Sequence, residues 1–424
     1  MNSQETQIMN QDQVLTNPSI DIQSGRAWLT SGSLVPVVLY AGLACAGVSI
    51  AIFGCMLSMI QSDLALTQSQ AGLCQAIFFT GHLIGAILTG RLMGSFSARW
   101  VWVLGLGATF IGTLMTGVPS LPILMLGRLL AGFGLASSVL FASGVIATMY
   151  PKRTGVMLNL LHALIAAAAA TTLMIGQSLG EMLGNWTAVL WLAAGLAAVP
   201  MALAAIMPGT PRVESDSNAG FGVLKTVALS ALVLPLLPAI IGYVAVEQAI
   251  TVFLPQLIET KFLVNGPYAA KLTAMLWLGI IIGRVGSVVI GQRIHESVQL
   301  IVGGMGMGLC MMMALVVPQV GMIPMLVLVA GIAGGPMVPL AFAIAARRMP
   351  SARNSAMTVC QMACCAGGIY GPLVAGTVGD SATLNLALMF GFATVAIAVI
   401  PLIRTLPLPE TDQPILPQGQ AKPR

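Results

Sequence analysis

The chain is a succession of apolar runs, each about as long as a bilayer is thick, separated by short polar breaks. A spanning helix needs about 20 apolar residues. Runs of that length fall at 34–60, 71–94, 100–118, 121–148, 157–181, 186–207, 230–257, 268–291, 298–317, 321–346, 355–378 and 383–405. Together they use most of the 424 residues and leave no room for a sizeable water-soluble domain. Transmembrane β-strands would read instead as short segments of alternating polarity. Only 7% of the residues are charged, against roughly 25% in soluble proteins, too few to cover a surface facing water. A soluble enzyme, a nucleic-acid binder and a disordered chain are therefore excluded. The expected fold is an all-α membrane protein with twelve transmembrane helices.

Basic residues set the expected orientation, because Lys and Arg concentrate in cytoplasmic loops. With both termini inside, the inner loops hold Arg91, Arg99, Lys152, Arg153, Arg212, Lys225, Arg293, Arg347, Arg348 and Arg353, and the outer loops hold only Lys261 and Lys271. This bias places both termini in the cytoplasm and accounts for most of the net charge of +5. Residues 1–33 are polar and lack the pattern of a signal peptide, so they read as a cytoplasmic tail, as does the Pro-rich segment 406–424. The seven cysteines all lie in apolar runs and read as small buried hydrophobes, neither disulfides nor metal ligands.

The longest hydrophilic stretch between spans is Pro208–Lys225, and it divides the chain six spans from six. The expected units are an N-terminal six-helix bundle, 34–207, a cytoplasmic linker, 208–229, and a C-terminal six-helix bundle, 230–405. The halves echo each other. Gly90-Arg91 with Arg99 beyond it is matched by Gly283-Arg284 with Arg293 beyond it, and Pro151-Lys152-Arg153 by Pro350 with Arg353, about 195–200 residues apart. Such a repeat is the mark of a transporter whose two bundles rock about a central site.

Several segments carry a family resemblance. Gly90-Arg91-Leu92 through Arg99, with Ser95, Phe96 and Ser97 where an acid is usual, resembles the loop motif between helices 2 and 3 of the major facilitator superfamily, and Arg128-Leu-Leu-Ala-Gly132-Phe-Gly134 resembles its helix 4 motif. Within that superfamily, four segments are similar to the fucose/glucose:proton symporter family. They are Leu158-Asn159-Leu160-Leu161-His162, Tyr243-Val-Ala-Val-Glu247, Leu278-Gly279 to Gly283-Arg284, and Gln361 to Gly367-Gly368 with Pro372. The superfamily resemblance covers about residues 34–405. It implies two pseudo-symmetric six-helix bundles and secondary transport, and the narrower one implies proton-coupled uptake of a small polar solute. The sugar symporters of that family carry acids in helices 1 and 4. Span 1 here has none, and Ser137-Ser138 supply hydroxyls in span 4.

Ionisable groups inside a membrane are costly and mark function. Glu247, near the middle of span 7, is the leading candidate. Tyr243 and Thr251 stand one helical turn on either side of it, and Gln248 is adjacent. A carboxylate whose proton affinity changes with access can couple transport to protons, or pair with a cationic or hydroxylated solute. Arg128, which keeps its charge, either meets an anionic solute, tunes a proton site or orders helix 4 through carbonyls. Asn159 and His162 in span 5 and Gln361 in span 11 occupy nearly matching places in the repeat and read as one central site. His82 shares a face with Gln75 and Phe78, as a proton relay or an interhelical contact. Trp277 lies on the Arg284 face, as a stacking ring or a membrane-interface tryptophan. Gly90, Arg91, Arg99, Gly283, Arg284 and Arg293 form the expected inner gating loops.

These residues predict a secondary transporter of the inner (plasma) membrane, driven by protons and moving a small polar organic solute among membrane lipids. A single twelve-span chain suffices, so a monomer is expected, and no cofactor, nucleic acid or resident metal is implied. Met-rich span 9 and Cys360-x-Met362-x-Cys364-Cys365 would suit Cu(I), but no His–Met spacing supports it. Two alternatives stay open. One is a proton-antiport exporter of a drug, siderophore or metabolite, although Gly176 and Gly180 stand without the proline of the antiporter motif in helix 5. The other is a non-transporting membrane sensor on the same fold.

Overall fold

In a computed structural model the structure describes residues 34–95, 98–149, 154–206, 221–290, 294–349, 352–381 and 398–405. The described residues form thirteen α-helices: α1 (Leu34–Leu64), α2 (Gln68–Ser95), α3 (Ala98–Thr116), α4 (Leu121–Met149), α5 (Thr154–Leu183), α6 (Trp186–Ile206), the short α7 (Phe221–Ala228), α8 (Leu236–Phe262), α9 (Gly266–Ile290), α10 (Glu296–Val316), α11 (Ile323–Gly334), α12 (Met337–Arg348) and α13 (Arg353–Ser381). Ten described segments are long and apolar enough to cross a membrane, with α11 and α12 counted as one. Helix is what lipid demands, because it satisfies every backbone group within its own segment.

The breaks between helices are chemically marked. Ala65, Gly184 and Leu263 take left-handed φ values of 51°, 61° and 53° just past α1, α5 and α8. Thr67 and Gln70 then open α2 with a reciprocal capping box: the Gln70 N–H donates to Thr67 Oγ1 (3.2 Å) and the Thr67 N–H to Gln70 Oε1 (2.9 Å). Asn265 accepts from the Tyr268 N–H to start α9, and His295 Nδ1 from the Ser297 N–H to start α10.

Two expectations are corrected. The run expected over 230–257 begins with turns through Pro235, so its helix spans Leu236–Phe262. The run expected over 321–346 is split at Gly335-Pro336, where proline has no N–H to continue the ladder. Part of the expected linker is also helical, as α7. Both tails and most of 383–405 lie outside the described residues. The cysteines are free thiols. Six are buried and Cys310 is partly exposed, against the expectation that all are buried.

Packing follows small residues. α2 lies along α4 and α13, α3 along α4 and α6, α1 along α5 and α8, and α9 along α5 and α11. Helices from before and after residue 207 therefore meet along three seams: α2 with α13, α5 with α9, and α1 with α8. Close approach at α2–α4 requires glycine. A Cβ on Gly132 would strike the Phe78 carbonyl, and one on Gly81 the Leu129 carbonyl. The outward face of α6 exposes Trp191, Leu192, Leu196 and Val199, as a lipid-facing helix does.

Candidate functional site at the helix seams

The α2–α4 glycine contact brings two polar side chains together inside an apolar core. Arg128 on α4 is 1% exposed and Gln75 on α2 is fully buried. Arg128 Nη2 donates to Gln75 Oε1, and Nη1 donates to the Ser49 carbonyl of α1 at 3.2 Å. The guanidinium lies over the Phe78 and Phe53 rings, 4.1 and 4.9 Å from their centroids. From Gln75 the chain of bonds crosses to α8. Gln75 Nε2 donates to Gln248 Oε1 (3.0 Å), and Gln248 Nε2 donates to Glu247 Oε1 (3.0 Å). A cation and a carboxyl are thus joined through two amides across the α1–α8 and α2–α13 region.

Glu247 sits where almost every α8 position is buried. Thr251 donates to the Glu247 backbone carbonyl (2.7 Å). The Tyr243 hydroxyl approaches the Glu247 carboxyl without reaching hydrogen-bond geometry to any described group. The Arg284 guanidinium on α9 is within electrostatic range of both. Arg284 itself donates from Nη1 to the His162 carbonyl of α5 (2.7 Å) and from Nε to the Gly335 carbonyl at the α11–α12 break (3.2 Å). It therefore bridges the α5–α9 seam from within, a deeper place than the loop expected for it. Gly283 lets α9 touch α11, since a Cβ there would meet the Ile332 carbonyl.

His82 meets Gln361 of α13, Nε2 to Nε2 at 3.1 Å, and its ring stacks on Phe79. Gln361 is thus joined to His82, while it is the backbone of His162 that takes Arg284. Gln68, Gln75 and His82 recur every seven residues on α2 and bond Gln256, Gln248 and Gln361 in turn, a polar ladder along the seam. Trp277 is 2% exposed and its indole N–H has no acceptor among the described residues, so it does not stand at a membrane interface. Arg99 opens α3 and covers the Trp100 ring. The side chains of Asn159 and Arg91, the surroundings of Gly90, and the whole of Arg293 lie outside what is described.

The sequence reading noted Gln248 only as the neighbour of Glu247 and missed its role as the amide that joins the halves. Its signal was a second polar residue beside Glu247 in an apolar run. It also missed the seam's end at the α1–α2 turn. There Ser58 Oγ donates to Glu259 Oε2 (2.8 Å), and the Asp380 carboxylate accepts from the Gln68 and Ser69 N–H groups (2.8 and 2.9 Å), capping α2 from α13. A cleft of about 650 Å³ opens at that end, lined by Ser58, Gln61, Gln68, Gln256, Glu259 and Thr260. None of the sequence-predicted site residues lines it. Gln75 lies two turns further along α2.

The family model of the Major Facilitator Superfamily matches residues 39–372. No curated protein matches the chain. Among solved structures, the nucleoside transporter NupG is similar at TM-score 0.70 and 11% identity, covering 87% of this chain and 97% of that one. A bacterial homolog of the human lysosomal transporter Spinster, inward-facing and unoccupied, is similar at TM-score 0.67 and 16% identity, covering 87% and 94%. The human organic anion transporter MFSD10 (TETRAN) is similar at TM-score 0.64 and 16% identity, covering 87% and 98%.

Proposed function

This chain belongs to the Major Facilitator Superfamily, a multi-pass membrane transporter and not an enzyme, and on that premise we propose that it is a proton-coupled transporter of a small polar organic solute, with Glu247 as the coupling carboxyl. One observation carries the reading. Three buried charged groups meet at the boundary between the halves: Arg284 bonds the His162 carbonyl across the α5–α9 seam, and Arg128 and Glu247 are the two ends of the Gln75–Gln248 bridge that joins α2 to α8. Groups so costly to bury in a membrane are retained where they bind and move charge.

The proposed architecture has twelve spans, two bundles at 34–207 and 230–405, a linker at 208–229, cytoplasmic tails at 1–33 and 406–424, and an inner-membrane location as a monomer. The loop distribution of Lys and Arg supports that orientation. On it, the α1–α2 end faces outward. The Asp380 cap and the Ser58–Glu259 bond then close the outer side, and rocking of the bundles exposes Glu247 to each side alternately. The proposed site comprises Glu247, Tyr243, Arg128, Gln75, His82, Gln361, His162, Asn159 and Trp277, with Arg284, Gly283, Arg91, Gly90, Arg99 and Arg293 in gating. The segments similar to the fucose/glucose:proton symporters support a small, hydrogen-bonding solute.

The test is uptake into proteoliposomes with and without an imposed pH gradient, for wild type and Glu247→Gln. The amide keeps the shape and the bond to Gln248 while removing the proton site, so gradient-stimulated uptake should vanish and exchange without a gradient should persist. Gradient-driven uptake equal to wild type removes Glu247 from coupling.

A further inference from the structure

Three side chains with formal charge are buried among the described residues: Arg128, Arg284 and Glu247. Two cations face one acid, so the interior is positive even with the carboxyl ionised. Arg284 has compensation close by, in two backbone carbonyls and in Glu247. Arg128 has only neutral partners, the Ser49 carbonyl, the Gln75 amide oxygen and two phenyl faces. Two amides separate it from Glu247. Its Nε–H is buried and has no acceptor among the described residues.

A guanidinium does not lose its proton, and a buried charge without a counter-charge is strongly unfavourable. A buried guanidinium with an unmet N–H and no counter-charge defines a site short of an acceptor and of negative charge.

We propose that the transported solute is an organic anion carrying a carboxylate, and that Arg128 is its counter-cation. The carboxylate occupies the free Nε edge of the guanidinium in the charge-assisted geometry arginine favours, and the carbon body rests against the Phe53 and Phe78 side of the pocket. Arg128 is sealed in the present packing, so access comes when the Gln75–Gln248 bond opens and α2 parts from α8. The proposal rests on reading this seam as the translocation path, but it concerns solute charge and not proton coupling.

The experiment is thermal unfolding of the full-length, detergent-purified protein with lactate, succinate and benzoate, each paired with its neutral amide, and with inorganic phosphate. At least one carboxylate should raise Tm in a saturable way while its amide does not. Arg128→Gln should raise the apparent Kd at least about tenfold. A second variant, Gln75→Glu, places an acid on Arg128 from within, so it should raise the basal Tm and remove the carboxylate shift. No carboxylate shift, an equal shift from the amide, a shift from phosphate alone, or a shift that survives Gln75→Glu overturns the proposal. The measurement uses no gradient. Failure of proton coupling at Glu247 leaves it standing, and failure here leaves the Glu247 uptake test unaffected.

Discussion

Gln75 performs two tasks that an apolar side chain of its size cannot: it accepts from Arg128 and donates to Gln248. Gln75→Leu leaves the cation and the facing amide short of partners, each unmet buried group costing about 1–3 kcal/mol. Equilibrium unfolding of the variant should show a loss of that order, larger than for Gln361→Leu, which strands the His82 ring and no guanidinium. Tyr243→Phe removes a hydroxyl that approaches the Glu247 carboxyl without a formed hydrogen bond, so stability should hold or rise while uptake falls. Unchanged uptake would mark that hydroxyl as packing alone. At this scale the sequence names many of the participants, because a polar residue inside an apolar run stands out by itself. It does not name their pairings. His162 and Gln361 look matched in the repeat, yet Gln361 meets His82, because pairing depends on which helices touch across the seam and not on sequence position within each half.

Helices α2 and α4 hold Arg128 against Gln75 only because their backbones nearly touch. Gly132→Val would push the pair apart at the Phe78 carbonyl, and overpacking of this kind costs about 1–3 kcal/mol. A lowered Tm together with lost carboxylate binding is the expected outcome, and the same substitution at Gly195, which has open space around it, should leave binding intact. Most helix ends are legible in the sequence to within a few residues, since apolar length and punctuation by Thr67-x-x-Gln70 or Asn265 act locally. The start of α8 and the α11–α12 break are not, because Leu-, Val- and Pro-rich turns are as apolar as the helices they join. Hydropathy alone therefore runs through Ser230–Pro235 and through Gly335-Pro336 without a step.

Across the whole molecule, one end of the seam is fastened by Ser58–Glu259, Gln68–Gln256 and the Asp380 cap on α2. The proposed rocking must undo all of these. Linking Ser58→Cys to Glu259→Cys with a short bis-methanethiosulfonate, which forms a mixed disulfide at each end and releases methanesulfinate, should stop uptake, and reductant should restore it. Persistent uptake in the linked protein would show that this end does not open during turnover. Asp380→Ala removes a helix cap worth about 0.5–2 kcal/mol, so spin labels at exposed Ser62 and Leu263 should shift toward longer separations. A chain of many membrane-spanning helices is legible in the apolar runs, whereas the fastening is not, since its residues sit in unremarkable loop-proximal positions. The amide bridge between the halves has one more property, a sense of direction. Arg128 can only give hydrogens and an ionised Glu247 can only take them, so both glutamines must point the same way. Once Glu247 gains a hydrogen of its own, the guanidinium still fixes both amides, and Gln248 goes on donating to the carboxyl's carbonyl oxygen. The bridge therefore keeps its polarity through a change of protonation on α8, because its sense is set from the α4 end.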